Sequence, residues 1–205
     1  MTNGINVKKR NGRGTEALNL EKMHKMVEEA CKGLAGVSAS QVEIQSGIQF
    51  YDGITTAEIQ EILVKSASDL ITLDNPNYQF VAARLLLFGV RKSLYGRSKE
   101  LPPLESHIYN CTNIDVYDKG IFDKYSLEDI QKADGFIDHE RDLLFTYAGL
   151  RQVVDKYLVQ DRSTGEVYET PQFMYIMIAL TMFRNYPKET RLDYVRRYYD
   201  AISRH

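Results

Sequence analysis

The sequence predicts a mainly α-helical fold in two parts: a four-helix unit with a small β-hairpin cap, then a helical region carrying one further β-hairpin. Apolar residues recur at helical spacing through most of the 205 residues. N-cap signatures precede those runs. Only two short stretches read as strand, turn, strand. Hydrophobic residues make up 43% and charged residues 26%, with 13 Gly and 5 Pro, which sets the chain among ordinary globular proteins and against long disorder. The length suffices for one large domain or two small ones.

Residues 5–20 read as a hairpin, with Ile5-Asn6-Val7 and Ala17-Leu18 as strands about the turn signal Asn11-Gly12-Arg13-Gly14. Asn19 then caps a helix whose Met23, Met26, Val27, Ala30 and Leu34 form one apolar stripe, ended by Gly33 and Gly36. Ser38-Ala39-Ser40-Gln41 has the spacing of a capping box for a second helix. Asp52-Gly53 breaks the chain, and Thr55-Thr56-Ala57-Glu58 offers another box before a helix burying Ile59, Ile62, Leu63, Ser66 and Leu70. Asn75-Pro76 opens the fourth helix, where proline's missing N–H has no intrahelical partner to lose, and the run continues to Gly96.

Pro102-Pro103 favours an extended connection, so one domain is expected over residues 1–96 and another over 104–205. In the second, Leu104 to Asn113, Ser126 to Ala133 and Thr146 to Lys156 read as helices. Tyr157 to Gln160 and Glu166 to Glu169 read as strands about Asp161-Arg162-Ser163-Thr164-Gly165. Thr170-Pro171 starts a helix that is apolar nearly all round from Phe173 to Phe183, which implies burial on several sides. The last helix follows Pro187, with Leu192, Val195, Tyr199 and Ile202 inward and Arg191, Arg196 and Arg197 outward or sideways.

A formal net charge of −2 argues against nucleic acid as a partner, because neutralising phosphates along a strand takes a concentrated excess of cations. The charge is uneven: Lys8, Lys9, Arg10, Arg13, Lys22 and Lys25 face only Glu16 and Glu21 in the first 25 residues. That patch could hold a small polyphosphate or could be a solvated basic edge. Cys31 and Cys111 form no CxxC pair and read as reduced, small buried hydrophobes. The longest apolar run is too short to span a bilayer and the N-terminus lacks an apolar leader, so a cytoplasmic, membrane-free protein is expected. Asp138-His139-Glu140-Arg141-Asp142 reads as an ion-paired helix face and not a metal or acid/base cluster, so neither a metal nor a catalytic residue is assigned.

The first half supplies what binding ATP requires: cations, amides or hydroxyls at a helix start, and apolar side chains for a base. Lys9 and Arg10 lie on the hairpin, Thr56 at a helix N-terminus, and Lys92 on the fourth helix. The segments Val7-Lys8-Lys9-Arg10, Asn19-Leu20-Glu21-Lys22, Tyr51 to Thr56 and Arg91-Lys92 together resemble the ATP-cone that begins the large subunit of class I ribonucleotide reductases. The resemblance continues through Ala82-Ala83-Arg84-Leu85, His139-Glu140-Arg141-Asp142, Lys156-Tyr157-Leu158-Val159 and Tyr168 to Phe173, and on to Tyr199-Asp200-Ala201.

The resemblance implies that Lys9, Arg10, Glu16, Leu18, Asn19, Lys22, Thr56 and Lys92 line an allosteric site for ATP or dATP with magnesium, with Ile59 and Phe88 near the base. The chain departs from the bacterial form of the family at Gln60 and Gly89, where histidines are common. In that family the helical region packs against a catalytic barrel, and the subunit works with a radical-generating small subunit in an oligomeric assembly that makes deoxyribonucleotides for DNA synthesis. The family's catalytic cysteines have no counterpart here, so the expectation is a regulatory portion, either partnered by a separately encoded barrel or an inactive truncated remnant. A freestanding nucleotide-binding regulator is the alternative from another class; the second half lacks the basic recognition helix or zinc motif such regulators carry.

Overall fold

The computed structural model describes residues 4–9, 14–96 and 99–204. The expected turn residues Asn11, Gly12 and Arg13, and the candidate Arg10, lie outside them. The fold is mainly helical, with a three-stranded sheet near its start and two compact units. The first unit gathers the described residues up to Gly89 together with Phe145–Arg151, and the second comprises Val90–Leu144 and the described residues from Gln152 on.

In the first unit, β1 (Asn6–Lys8) pairs antiparallel with β2 (Thr15–Ala17), as the hairpin pattern predicts. Helix α1 (Leu20–Cys31) starts at Asn19, whose side chain accepts from the Lys22 amide at 2.9 Å. It buries Met23, Val27 and Ala30. Helix α2 (Ala39–Gly47) begins after Ser38 without the expected capping box. The Tyr78 hydroxyl takes both roles, accepting from the Ser38 amide and donating to Gln41 Oε1. A third strand, β3 (Ile54–Thr55), was not expected; it lies parallel to β1. The turn before it uses Gly53 at φ +85°, and the Gly53 amide donates to the Asn6 carbonyl at 2.8 Å.

Helix α3 (Thr56–Asp69) carries the predicted capping box: Thr55 Oγ1 accepts from the Glu58 amide, and the Glu58 carboxylate accepts from the Thr55 amide. Helix α4 (Tyr78–Tyr95) starts two residues after Pro76, because a tighter turn intervenes in which Gln79 donates to the Pro76 carbonyl. It ends at Gly96, whose φ of +70° is the left-handed stop that favours glycine. Val27, Val42, Ile54, Leu63, Ala67, Val81, Leu85 and Leu87 form the fully buried centre of this unit.

The second unit contains α5 (Leu104–Asn113), α6 (Ile121–Lys124), α7 (Leu127–Asp134), α9 (Pro171–Phe183) and α10 (Arg191–Ile202). Helix α8 (Tyr147–Gln152) belongs mostly to the first unit. A 3₁₀ turn spans His139–Leu144, and a π turn, Val153–Tyr157, extends α8 where an α-helix was expected. Leu104, Ile108, Ile130, Phe173, Ile176, Leu180, Val195 and Tyr199 make its core.

The second hairpin shrinks to a single antiparallel bridge, Gln160 to Val167. The Tyr168 amide still donates to the Val159 carbonyl, but the Val159 amide goes to the Glu169 carboxylate at 2.8 Å and the Gln160 side chain folds back on the carbonyls of Val154 and Asp155. Side chains thus take donors and space that a ladder would use. One other expectation changes. Arg191 is buried, paired with Asp129 at 2.7 Å and stacked 4.3 Å over the Tyr125 ring. Helix α9 buries Phe173, Met174, Ile176, Ala179 and Leu180 but leaves Ile178 and Met182 exposed beside a groove of about 410 Å³.

Candidate functional site

The β1–β3 pairing brings together candidate residues that are 47 positions apart. In its parallel register Val7 sits opposite Ile54 and Lys8 opposite Thr55, so the next residues along the two strands are Lys9 and Thr56. Thr56 is the first residue of α3, where amides without intrahelical partners and the helix dipole favour an anion. Two adjacent cations, Lys8 and Lys9, therefore run alongside a helix N-terminus, the arrangement that holds phosphates. Asp52 supports the geometry from outside the candidate set: its Oδ1 accepts from the Asn6 amide at 2.8 Å and the Asn6 side chain at 3.0 Å. Those hydrogen bonds hold its carboxyl below the usual range.

Glu16 lies across the hairpin from Val7, and its carboxylate pairs with the Lys9 ammonium at 2.9 Å, both side chains being about two-fifths exposed. An exposed pair of this kind contributes little stability, so Lys9 can exchange Glu16 for a phosphate. Glu58 does not compete for such an anion site as a free carboxylate. Hydrogen bonds from Thr55, above all its hydroxyl, and from the Tyr51 hydroxyl at 2.9 Å hold it below its ordinary range and lock it into the cap.

Asn19 spends its side-chain carbonyl on the Lys22 amide, leaving its NH₂ for an outside acceptor. Among the described residues, the Lys22 and Lys92 ammonium groups meet no acid within ion-pair distance; both side chains are exposed. Ile59 on α3 and Phe88 on α4 are nearly buried, at 8% and 7% exposure, and Lys92 follows Phe88 by one helical turn. Leu18, whose amide donates to the Ile5 carbonyl, points elsewhere: it lines a cavity of about 870 Å³ edged by α1 and α2 that none of the described cationic candidates lines. Among the described residues, no cluster of three or more His, Cys, Asp or Glu could hold a metal, and no helix is long and apolar enough to cross a membrane.

Two contributors to this region, Gln60 and Gly89, entered the sequence reading only as departures from the family's histidines, without a structural role. Gln60 is buried with its Nε2 donating to the Leu85 carbonyl at 2.7 Å, and Gly89 provides the space its side chain occupies. Nothing in a helical pattern marks either, since glutamine reads as a solvent residue and a helical glycine reads as a weak point. Strand β3 was missed because two residues show no period.

Comparison with known proteins agrees with this architecture. The ATP cone domain family matches residues 5–93, and the family described as ribonucleotide reductase, all-alpha domain, matches residues 143–205. The chain is 49% identical over 203 residues to ribonucleoside-diphosphate reductase 1 subunit alpha of Escherichia coli (strain K12), covering 99% of this chain and 26% of that protein. It is 48% identical to the subunit alpha of Haemophilus influenzae, over 99% of this chain and 27% of that one, and 39% identical to that of Enterobacteria phage T4, over 97% and 26%. The chain thus spans about a quarter of the length of these relatives. With both families matched in the order in which the two parts follow one another, the chain corresponds to the N-terminal ATP-cone and all-alpha region of class I ribonucleotide reductase alpha subunits.

Proposed function

We propose that residues 1–96 sense ATP and dATP and that this region regulates a ribonucleoside-diphosphate reductase, without contributing a group to the chemistry of reduction. The observation that most supports this reading is the parallel β1–β3 register, which sets Lys8 and Lys9 beside the open amides of α3. In the proposed site Lys9, with Arg10, Lys22 and Lys92, neutralises the phosphates, and Thr56 donates to them from the helix start. Asn19, Ile59 and Phe88 receive the nucleoside, and Glu16 holds Lys9 in place until a phosphate replaces it. Magnesium would enter as the counterion of the phosphates, which suits an ion that keeps much of its water and needs no protein cage.

Regulation requires the two nucleotides to differ in affinity for two assemblies, because a ligand that binds both equally shifts nothing. The partners on this reading are the catalytic barrel of the reductase, the radical-generating small subunit and further copies of the large subunit, in the cytoplasm. Residues 104–205 form the part that meets the barrel, consistent with the apolar Ile178 and Met182 exposed on α9.

Calorimetric titration of the chain with ATP and with dATP tests the proposal. Saturable binding is expected for the wild type, and Lys9→Ala and Thr56→Ala are each expected to weaken it at least tenfold, the scale of one lost charge-assisted contact. A folded wild type that releases no heat with either nucleotide would sink the sensing role and leave a helical scaffold.

A further inference from the structure

We propose that Gln60 and Gly89 form a size-matched contact between α3 and α4 that sets the spacing of the residues flanking it, making both positioning residues for the nucleotide site. This deepens the sensing role proposed above and rests on it. A Cβ added at Gly89 would stand 2.9 Å from Gln60 Cγ, closer than real Cβ atoms approach, and 3.4 Å from its Cδ. The Gln60 stem therefore fills the volume that any other residue at position 89 would claim.

The stem is also held at its far end. Gln60 is 7% exposed, and its Nε2 donates to the Leu85 carbonyl at 2.7 Å in a buried setting. In α-helical geometry the Gly89 N–H points at that same carbonyl, four residues earlier, so a buried side chain from α3 and the backbone of α4 converge on one oxygen. Swinging Gln60 aside to admit a methyl group at position 89 would leave its amide buried without that acceptor. Gln60 cannot yield cheaply, and the helices must part instead.

The neighbours of the pair give the contact its consequence. On α3, Ile59 precedes Gln60 and Thr56 lies one turn before it; on α4, Phe88 precedes Gly89 and Lys92 lies three residues beyond. The Gln60–Gly89 contact lies on the turns that bear the proposed phosphate and base contacts. A separation change of a few tenths of an ångström there alters how Ile59 sits against Phe88 and where Thr56 presents the helix start.

The test is a double-mutant cycle on the full chain: Gly89→Ala, Gln60→Ala and both together, each titrated calorimetrically with ATP and dATP and each heated without nucleotide. Gly89→Ala is expected to weaken binding about tenfold, the effect of overpacking a close contact. The added Gln60→Ala is expected to restore most of that loss by removing the stem. Recovery of affinity beyond any recovery in unfolding temperature identifies positioning, since general stability would move both together. If Gly89→Ala alone does not fold, the double variant compared with Gln60→Ala carries the test, the expectation being equal affinity and a double variant that fails to fold overturning the size match. Wild-type affinity in Gly89→Ala, or equal losses in the single and double variants, would overturn this proposal alone. An absence of binding by the wild type would overturn it together with the sensing role.

Discussion

Arg191 takes a full charge into the interior of the second unit, and what surrounds it determines what its loss would do. Its guanidinium donates to Asp129 Oδ2 at 2.7 Å and lies over the Tyr125 ring, while Nε has no partner. Burial pushes the Asp129 carboxyl up, but the bonds from Arg191 and Ser126 outweigh it and hold the group below its ordinary range. Arg191→Ala strands that carboxylate away from water. A loss of about 3 kcal/mol of unfolding free energy is expected in urea titration, with part of it recovered in Arg191→Ala/Asp129→Asn, where no buried charge remains. Additive losses in the two variants would show the pair to be uncoupled. The sequence pattern places Arg191 outward or sideways because helical periodicity marks only the apolar face; the acid that draws it inward is 62 residues away. The two capping boxes teach the same lesson. Thr55 and Glu58 close theirs because Tyr51 takes only Glu58 Oε1 and leaves Oε2 to the cap, whereas Ser38 and Gln41 lose theirs to Tyr78 from α4.

At the scale of elements, the long periodic helices were legible: α1, α3, α4, α5, α9 and α10 all lie where apolar spacing and cap residues put them. The elements that escaped are short or tertiary in origin. Strand β3 exists because Ile54 and Thr55 find β1 as a partner, and the 3₁₀ turn at His139–Leu144 follows contacts that no local period encodes. The same division runs through the candidate site. Asn19 and Thr56 could be placed from their helix starts, but that Lys9 lies beside Thr56 is a fact of strand register. Because α3 begins in the strand that aligns them, its cap has two roles. Thr55→Ala removes the hydroxyl that accepts from the Glu58 amide and donates to the Glu58 carboxylate. About 1 kcal/mol of stability is expected to be lost in chemical denaturation, the usual value of an N-cap. A loss within experimental error would mean that the box adds nothing to α3.

Over the whole molecule, the proposed sensing role and the buried chemistry make the two units responsive to different variables. The proposed nucleotide residues of the first are exposed cations and nearly buried apolar groups. The second buries a chain of titratable side chains, in which His107 stacks on Phe173 at 4.2 Å and meets the hydroxyls of Tyr95 at 3.4 Å and Tyr117 at 3.1 Å. Tyr117 donates onward to the buried Glu169, and Cys111 and His139 flank the same core. Burial lowers both His107 and His139 to about 4. In an unfolded chain each would bind a proton below about 6.5, so their contribution to stability is complete above that pH and is lost as pH falls from 6.5 towards 4. Asp142 works the other way: burial pushes it up to about 6 against the pull of Arg91, so its contribution grows as pH falls below 6. Opposing slopes make the total a poor test and a difference between variants a good one. His107→Gln keeps a polar group in the core and removes the titration together with the ring contacts, whose loss shifts stability equally at every pH. The wild type is expected to lose about 2 to 3 kcal/mol relative to that variant between pH 7.5 and 4.5, read by urea unfolding on the fluorescence of the 14 tyrosines in a chain without tryptophan. Parallel stability curves for the two proteins would mean that His107 titrates as it does in the unfolded chain, and His107 would then have no part in the acid limb.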